Sequence, residues 1–171
     1  MRKSQLIARL QNEREEWERV LNYAGMIRFG IGGVSGHWSV RDILAHVLVR
    51  EQYLVDRLHE IQQGTFLPAC QTQDELDTFL DEFGTPDFES PILPEQQANE
   101  WAVIKYRDIP LKDLVVLEIH AFKALNENIM ALNEEQLSEH NLAERLARAT
   151  YKHYRQHAAD IRKRFKTALI R

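Results

Sequence analysis

His153 and His157 lie four residues apart in the segment from Thr150 to Ile161, TYKHYRQHAADI. On a helix that spacing stacks two imidazoles on one face, with Cβ atoms roughly 6 Å apart. Two rings so placed can share one metal ion. The apolar stripe through Leu146 and Thr150 continues onto His153, His157 and Ile161, so both rings are expected to face inward. The bland reading is a pair of core histidines, each needing a hydrogen-bond partner. His46 lies one turn inside another helix, beside Ile43 and Val47. Alone it reads as a structural histidine. If the two helices are neighbours, it completes three nitrogen ligands and leaves a position open for water or substrate, the pattern of catalytic zinc sites. His120 is a weaker fourth candidate. His37, His59 and His140 fall at helix ends or in connectors and carry no role.

Other chemistries fail on spacing. Di-iron bundles need Glu-x-x-His on two helices, and none of the seven histidines has Glu three residues before it. His-Glu-x-x-His is absent, since His59-Glu60 runs into glutamines and Gly64. Cys70 has no nearby ligand partner and is not read as a nucleophile. The glycine-rich run from Gly30 to Gly36 follows a helix, whereas a dinucleotide-binding loop must follow a strand, so it reads as a flexible connector.

The elements that must position these residues are helical throughout, with no convincing strand alternation. A first helix is expected from Ser4, as cap, to Ala24, burying Leu6, Leu10, Trp17, Val20, Leu21 and Ala24. A second runs from Val40 to about Gln63, opened by Ser39 and Asp42 in a shortened capping box and closed by Gly64 and Pro68. Its core contacts are Ile43, Leu44, Val47, Leu48, Leu54, Leu58 and Ile61. Asp42 caps the helix in the simplest reading; orienting the His46 ring is the alternative. A third long helix starts near Pro110 and runs to about Leu132, using Leu111, Leu114, Val115, Ile119, Phe122, Leu125 and Ile129. A fourth spans about Leu142 to Ala168.

Between Leu58 and Ile104 there is no lysine or arginine, while ten acids occur. This segment holds a true capping box, Thr72 to Glu75, then Leu76, Phe79, Leu80 and Phe83 at helical spacing before Gly84. A further helix is expected from Glu95 to about Arg107. The segment reads as an excursion over one end of the fold or a subunit contact, its charge mainly a solvated face. The fold class is therefore all-α, one four-helix-bundle domain over residues 1–171 with a short extra helix in the long connection between helices two and three.

Composition narrows the function. A formal net charge of −4 offers no basic field for nucleic acid. The run Arg162–Arg164 with Lys166 suits the negative end of a helix. One cysteine excludes an internal disulfide framework and fits a reducing compartment. With no secretory leader and no membrane-length apolar stretch, a cytoplasmic protein without nucleic-acid or membrane partners is expected.

Two stretches resemble one family. Gly36 to His46, GHWSVRDILAH, is similar to the helix-two signature of the DinB/YfiT-like superfamily of four-helix-bundle proteins. Thr150 to Ile161 is similar to its helix-four signature, and its tail most resembles the ClbS/DfsB-like branch. The resemblance implies a metal held by His46, His153 and His157. It also implies a homodimer and a small-molecule substrate. Characterised members of the superfamily include metal-dependent transferases using low-molecular-weight thiols, an isomerase, and proteins that disarm reactive toxins. The long acidic segment departs from the usual family pattern.

The leading expectation is a metal-dependent transferase or hydrolase acting on a small electrophile in stress or detoxification, with a low-molecular-weight thiol as a possible co-substrate. Zinc or nickel suits three imidazoles best, and iron or manganese can fill the same set. Such an ion would turn bound water into hydroxide, or a thiol into thiolate. The rival expectation is a non-catalytic bundle that sequesters a ligand or serves in assembly, its histidines structural.

Overall fold

The computed structural model describes residues 1–66 and 68–165. Among them there are helices and no strand, only one isolated antiparallel bridge between Ser35 and Trp38 in the glycine-rich connector. None of the helices is long and apolar enough to cross a membrane. The chain divides into two compact units, residues 1–43 with the chain from Asn133 onward, and Leu44–Leu132.

In the first unit, α1 (Lys3–Ala24) and α8 (Tyr151–Phe165) pack on each other. The buried face of α1 is Leu6, Leu10, Arg14, Trp17, Val20 and Ala24, stepping by three and four. Leu21, expected on it, is half-buried. Ser4 is not the cap. The cap is Arg2, two residues earlier, because the Glu134 carboxylate accepts the Lys3 N–H at 3.0 Å and the Gln5 side chain accepts the Arg2 N–H at 3.1 Å. Glu134 opens α6 (Glu134–Ser138), a short helix absent from the sequence reading, capped by Asn133.

The expected fourth helix is two. α7 (Leu142–Ala149) stops at Thr150, whose backbone leaves the helical region at φ −118°, ψ −99°. The buried Thr150 hydroxyl donates to the Leu146 carbonyl at 2.6 Å, a back-bond that bends helices. α8 resumes at Tyr151, and Tyr154 stacks on Trp17 with ring centroids 6.1 Å apart. Arg162 pairs with Glu16, and Arg155 donates to Glu13 at 2.9 Å, so two cations of this helix are matched to acids of α1. Lys166 and the expected helix end at Ala168 lie outside the described residues.

α2 (Val40–Gln62) begins in the first unit and continues through the second. Its capping box forms as expected: Asp42 Oδ2 accepts the Ser39 N–H at 2.8 Å, and Ser39 Oγ accepts the Asp42 N–H at 3.2 Å. From Ile43 to Val49 every residue is buried, so the helix is enclosed on all sides here rather than along one stripe.

Within the second unit the acidic segment is packed, not merely solvated. α3 (Gln73–Phe83) is capped by the Thr72–Glu75 box and ends at Gly84, whose φ of +69° suits glycine. Phe79 sits 4.6 Å from Phe83 and 6.2 Å from Tyr53 of α2. The Arg57 guanidinium lies 5.0 Å over the Phe79 ring. α4 (Glu95–Lys105) is tied to α2 by Arg50, which donates to Glu95 at 3.2 Å and Asn99 at 3.3 Å. α5 (Leu111–Ala131) buries Leu114, Glu118, Ala121, Leu125 and Ile129. Ile119, expected inward, is 48% exposed. The reason is phase: Glu118 occupies the stripe position between Leu114 and Ala121, and Ile119 is turned a further 100° around the helix.

Candidate metal centre

Three forces fix the angular position of α8. The Trp17–Tyr154 stack sets its phase, the small Ala158 allows close approach, and Ile161 continues the buried face. His157, three residues after Tyr154, is consequently 4% exposed, while His153 is half-buried. The two rings meet at a centroid distance of 4.5 Å and an interplanar angle of 69°. Their Nε2 atoms face each other at 2.9 Å. The sequence-predicted pair is thus brought together through the same atom of each ring.

Facing Nε2 atoms have two chemical uses. With one Nε2 protonated and the other bare, they form a single N–H···N hydrogen bond, which requires opposite tautomers. With both bare, two lone pairs converge on one cation. Neutral imidazole suits divalent transition metals, so the donor atoms fit such an ion. On the far side of the His157 ring, Nδ1 lies 3.7 Å from Asp160 Oδ2. At that distance, beyond hydrogen-bond reach, the carboxylate favours a proton on Nδ1 through its charge alone, which leaves Nε2 as the lone-pair nitrogen. Sequence reading missed Asp160, although an acid three residues after a helical histidine was a readable signal.

His46 belongs to the second unit, 2% exposed in the enclosed run of α2. Asp42 is occupied at the helix cap, where its Oδ2 also accepts the Ser39 hydroxyl at 2.8 Å. His120 is exposed on α5, and His37, His59 and His140 are exposed as well. Burial and the neighbouring Asp87 push the Cys70 thiol up to about 11, which favours its protonated form at neutral pH.

No protein-family model, curated protein or solved structure matches the chain. What can be said of its chemistry therefore comes from its own side chains. Among those that sequence reading missed are the buried Arg14, Glu51 and Glu118. Arg14 donates to Glu18 at 2.7 Å. Glu51 and Glu118 each follow an inward aliphatic residue by four, Val47 and Leu114, so helical phase alone would have found them.

Proposed function

We propose that the chain is a DinB/YfiT-like four-helix-bundle protein in which His46, His153 and His157 together hold one divalent metal ion, each ring offering one nitrogen. On this reading it is a metal-dependent transferase or hydrolase of small electrophilic molecules. The observation that carries it is the 2.9 Å approach of the His153 and His157 Nε2 atoms. The burial of His46 in a wholly enclosed stretch of α2 supports the reading, since it keeps a neutral imidazole nitrogen donor away from competing water. The assembly of α1, α2, α5 and the α7–α8 pair as one bundle is part of the same proposal.

When bound, a divalent ion on three neutral imidazoles supplies a Lewis acid that attracts anions and lowers the pKa of a water or thiol. The chain's own groups do the rest. α8 holds two rings in fixed mutual orientation, and Asp160 biases the His157 tautomer. Zinc or nickel matches the donor set best, with iron or manganese able to occupy it. A low-molecular-weight thiol as co-substrate, a homodimeric state, a cytoplasmic location and a detoxification role come from the family resemblance and belong to the proposal.

One observation favours a second reading. A 2.9 Å Nε2–Nε2 separation is also an ordinary hydrogen-bond length, as a purely structural pair would have. Metal analysis of protein purified without a histidine tag separates the two. The metal reading expects roughly one ion per chain, lost in His153→Ala. A metal content that stays near zero after incubation with excess zinc or nickel leaves only the hydrogen-bonded pair. If metal is bound, a screen of thiols against small electrophiles, with and without chelator, tests the activity.

A further inference from the structure

A cavity of about 430 Å³ lies wholly within the second unit. That volume is in the range of small-molecule sites. Four elements build it: α2, the cap that ends α3, the last residue of α4, and α5. None of the three histidines of the proposed metal site lines it, and nothing below depends on them.

Its walls are apolar where Val55, Phe83, Leu117 and Ala121 face it, and two opposite charges interrupt them: Asp56 from α2 and Lys105 from α4. Lys105 is held in place, with Nζ donating to the Gly84 carbonyl at 2.7 Å and lying 4.8 Å from the Trp101 ring centroid. One of its three N–H groups is thereby used, and two are left for a ligand. Thr85, beside Gly84, is 2% exposed, and its hydroxyl has no hydrogen-bond partner among the described residues. A buried hydroxyl in that state costs about 1–3 kcal/mol, which a polar ligand group would offset.

Among the described residues no ion pair joins Asp56 to Lys105. Burial raises the Asp56 pKa, with His59 opposing and Glu60 reinforcing. Burial alone lowers the Lys105 pKa. Asp56 is thus partly stripped of water, and neither group gains the other as a counter-ion. A simple anion would satisfy Lys105 and be repelled by Asp56; a simple cation would do the reverse. A molecule carrying both charges meets both needs.

We propose that this cavity binds a small zwitterion of the amino-acid or short-peptide class. Its carboxylate is held by Lys105, its ammonium by Asp56, and its apolar side chain by Phe83 and Leu117. The test is a titration of the full chain by amide NMR with leucine and leucyl-leucine. Two single-charge analogues, 4-methylpentanoate and 3-methylbutylamine, are titrated in parallel. At least one zwitterion should bind with Kd on the order of 1 mM or tighter, with both analogues roughly tenfold weaker. Lys105→Gln and Asp56→Asn should each weaken zwitterion binding by about tenfold while far-UV circular dichroism stays unchanged. The proposal is overturned if neither zwitterion binds, if an analogue binds equally well, or if both folded variants bind like the parent. Because the analogue comparison uses the parent chain, it decides the matter even if a variant fails to fold.

Discussion

Asp87 should be the most costly acid to alter in the second unit, and the structure allows the cost to be worked out bond by bond. Its side chain is fully buried. Oδ1 accepts from the Tyr53 hydroxyl at 2.9 Å, the Glu89 N–H at 3.0 Å and the Arg57 guanidinium at 3.3 Å. Oδ2 accepts the Cys70 N–H at 2.8 Å. Asp87→Asn keeps the shape and can keep the Oδ1 bonds, but its amide must then point N–H groups at the Cys70 N–H. One charge-assisted bond is lost, about 1.5–3 kcal/mol, and one buried N–H goes unsatisfied, about 1–3 kcal/mol. Arg57 retains Glu60 at 3.1 Å, which moderates the loss of its charge partner. The two terms sum to about 2.5–6 kcal/mol, a range that brackets the roughly 3–5 kcal/mol of breaking a buried ion pair from one side. Parallel urea unfolding curves of the parent and Asp87→Asn at neutral pH measure it. A difference below about 1 kcal/mol at equal m-value would refute the reasoning. A pH arm checks the sign. Burial would raise the Asp87 pKa, but the Cys70 and Glu89 amides, Tyr53 and Arg57 outweigh it and hold the carboxyl below its usual range. A depressed folded pKa gives stability that is present above the unfolded carboxylate value and lost as pH falls through the folded value. The parent should therefore lose its advantage over Asp87→Asn in strong acid.

Three further outcomes are expected. Under the three-histidine proposal, excess zinc or nickel at about 100 times Kd adds about 2.7 kcal/mol of stability. That corresponds to a rise of roughly 5–10 °C in Tm for a chain of this size, reversed by chelator and absent in His157→Ala. An unchanged melting curve with metal would count against the site. Gly84→Ala meets open space apart from the Lys105 ammonium 3.9 Å away, yet it strains a backbone at φ +69°. It should cost about 1 kcal/mol by chemical denaturation, and no loss at all would contradict the left-handed cap. Thr72→Ala removes the hydroxyl that accepts the Glu75 N–H at 3.3 Å. It should cost about 1 kcal/mol or less and speed amide exchange at the start of α3, whereas uniform exchange changes would show that the cap is not local.

The residues that sequence patterns read correctly are those whose signal is local. Capping at Ser39–Asp42 and Thr72–Glu75 needs only a side chain within four residues of an amide, and the stop at Gly84 needs only a left-handed backbone. The His153–His157 approach is of the same kind, because helix geometry alone brings residues four apart together. What failed depended on partners far along the chain or on letting residue type overrule phase. The start of α1 is set by Glu134, more than a hundred residues away, so a local search settled on Ser4. Ile119 was placed inward because it is apolar, although Glu118 held the position in phase with Leu114 and Leu125. The acidic segment illustrates the same limit more fully. Its charge run reads as solvated until Arg57 of α2, thirty residues earlier in the chain, shows where Asp87 goes. Type without phase therefore hides buried acids, and in this chain buried or half-buried acids stand beside both places where chemistry is proposed. Asp160 flanks His157 at the proposed metal centre, and Asp56 faces Lys105's cavity. Reading acids by helical phase first, and by charge second, would have brought both into view from the sequence.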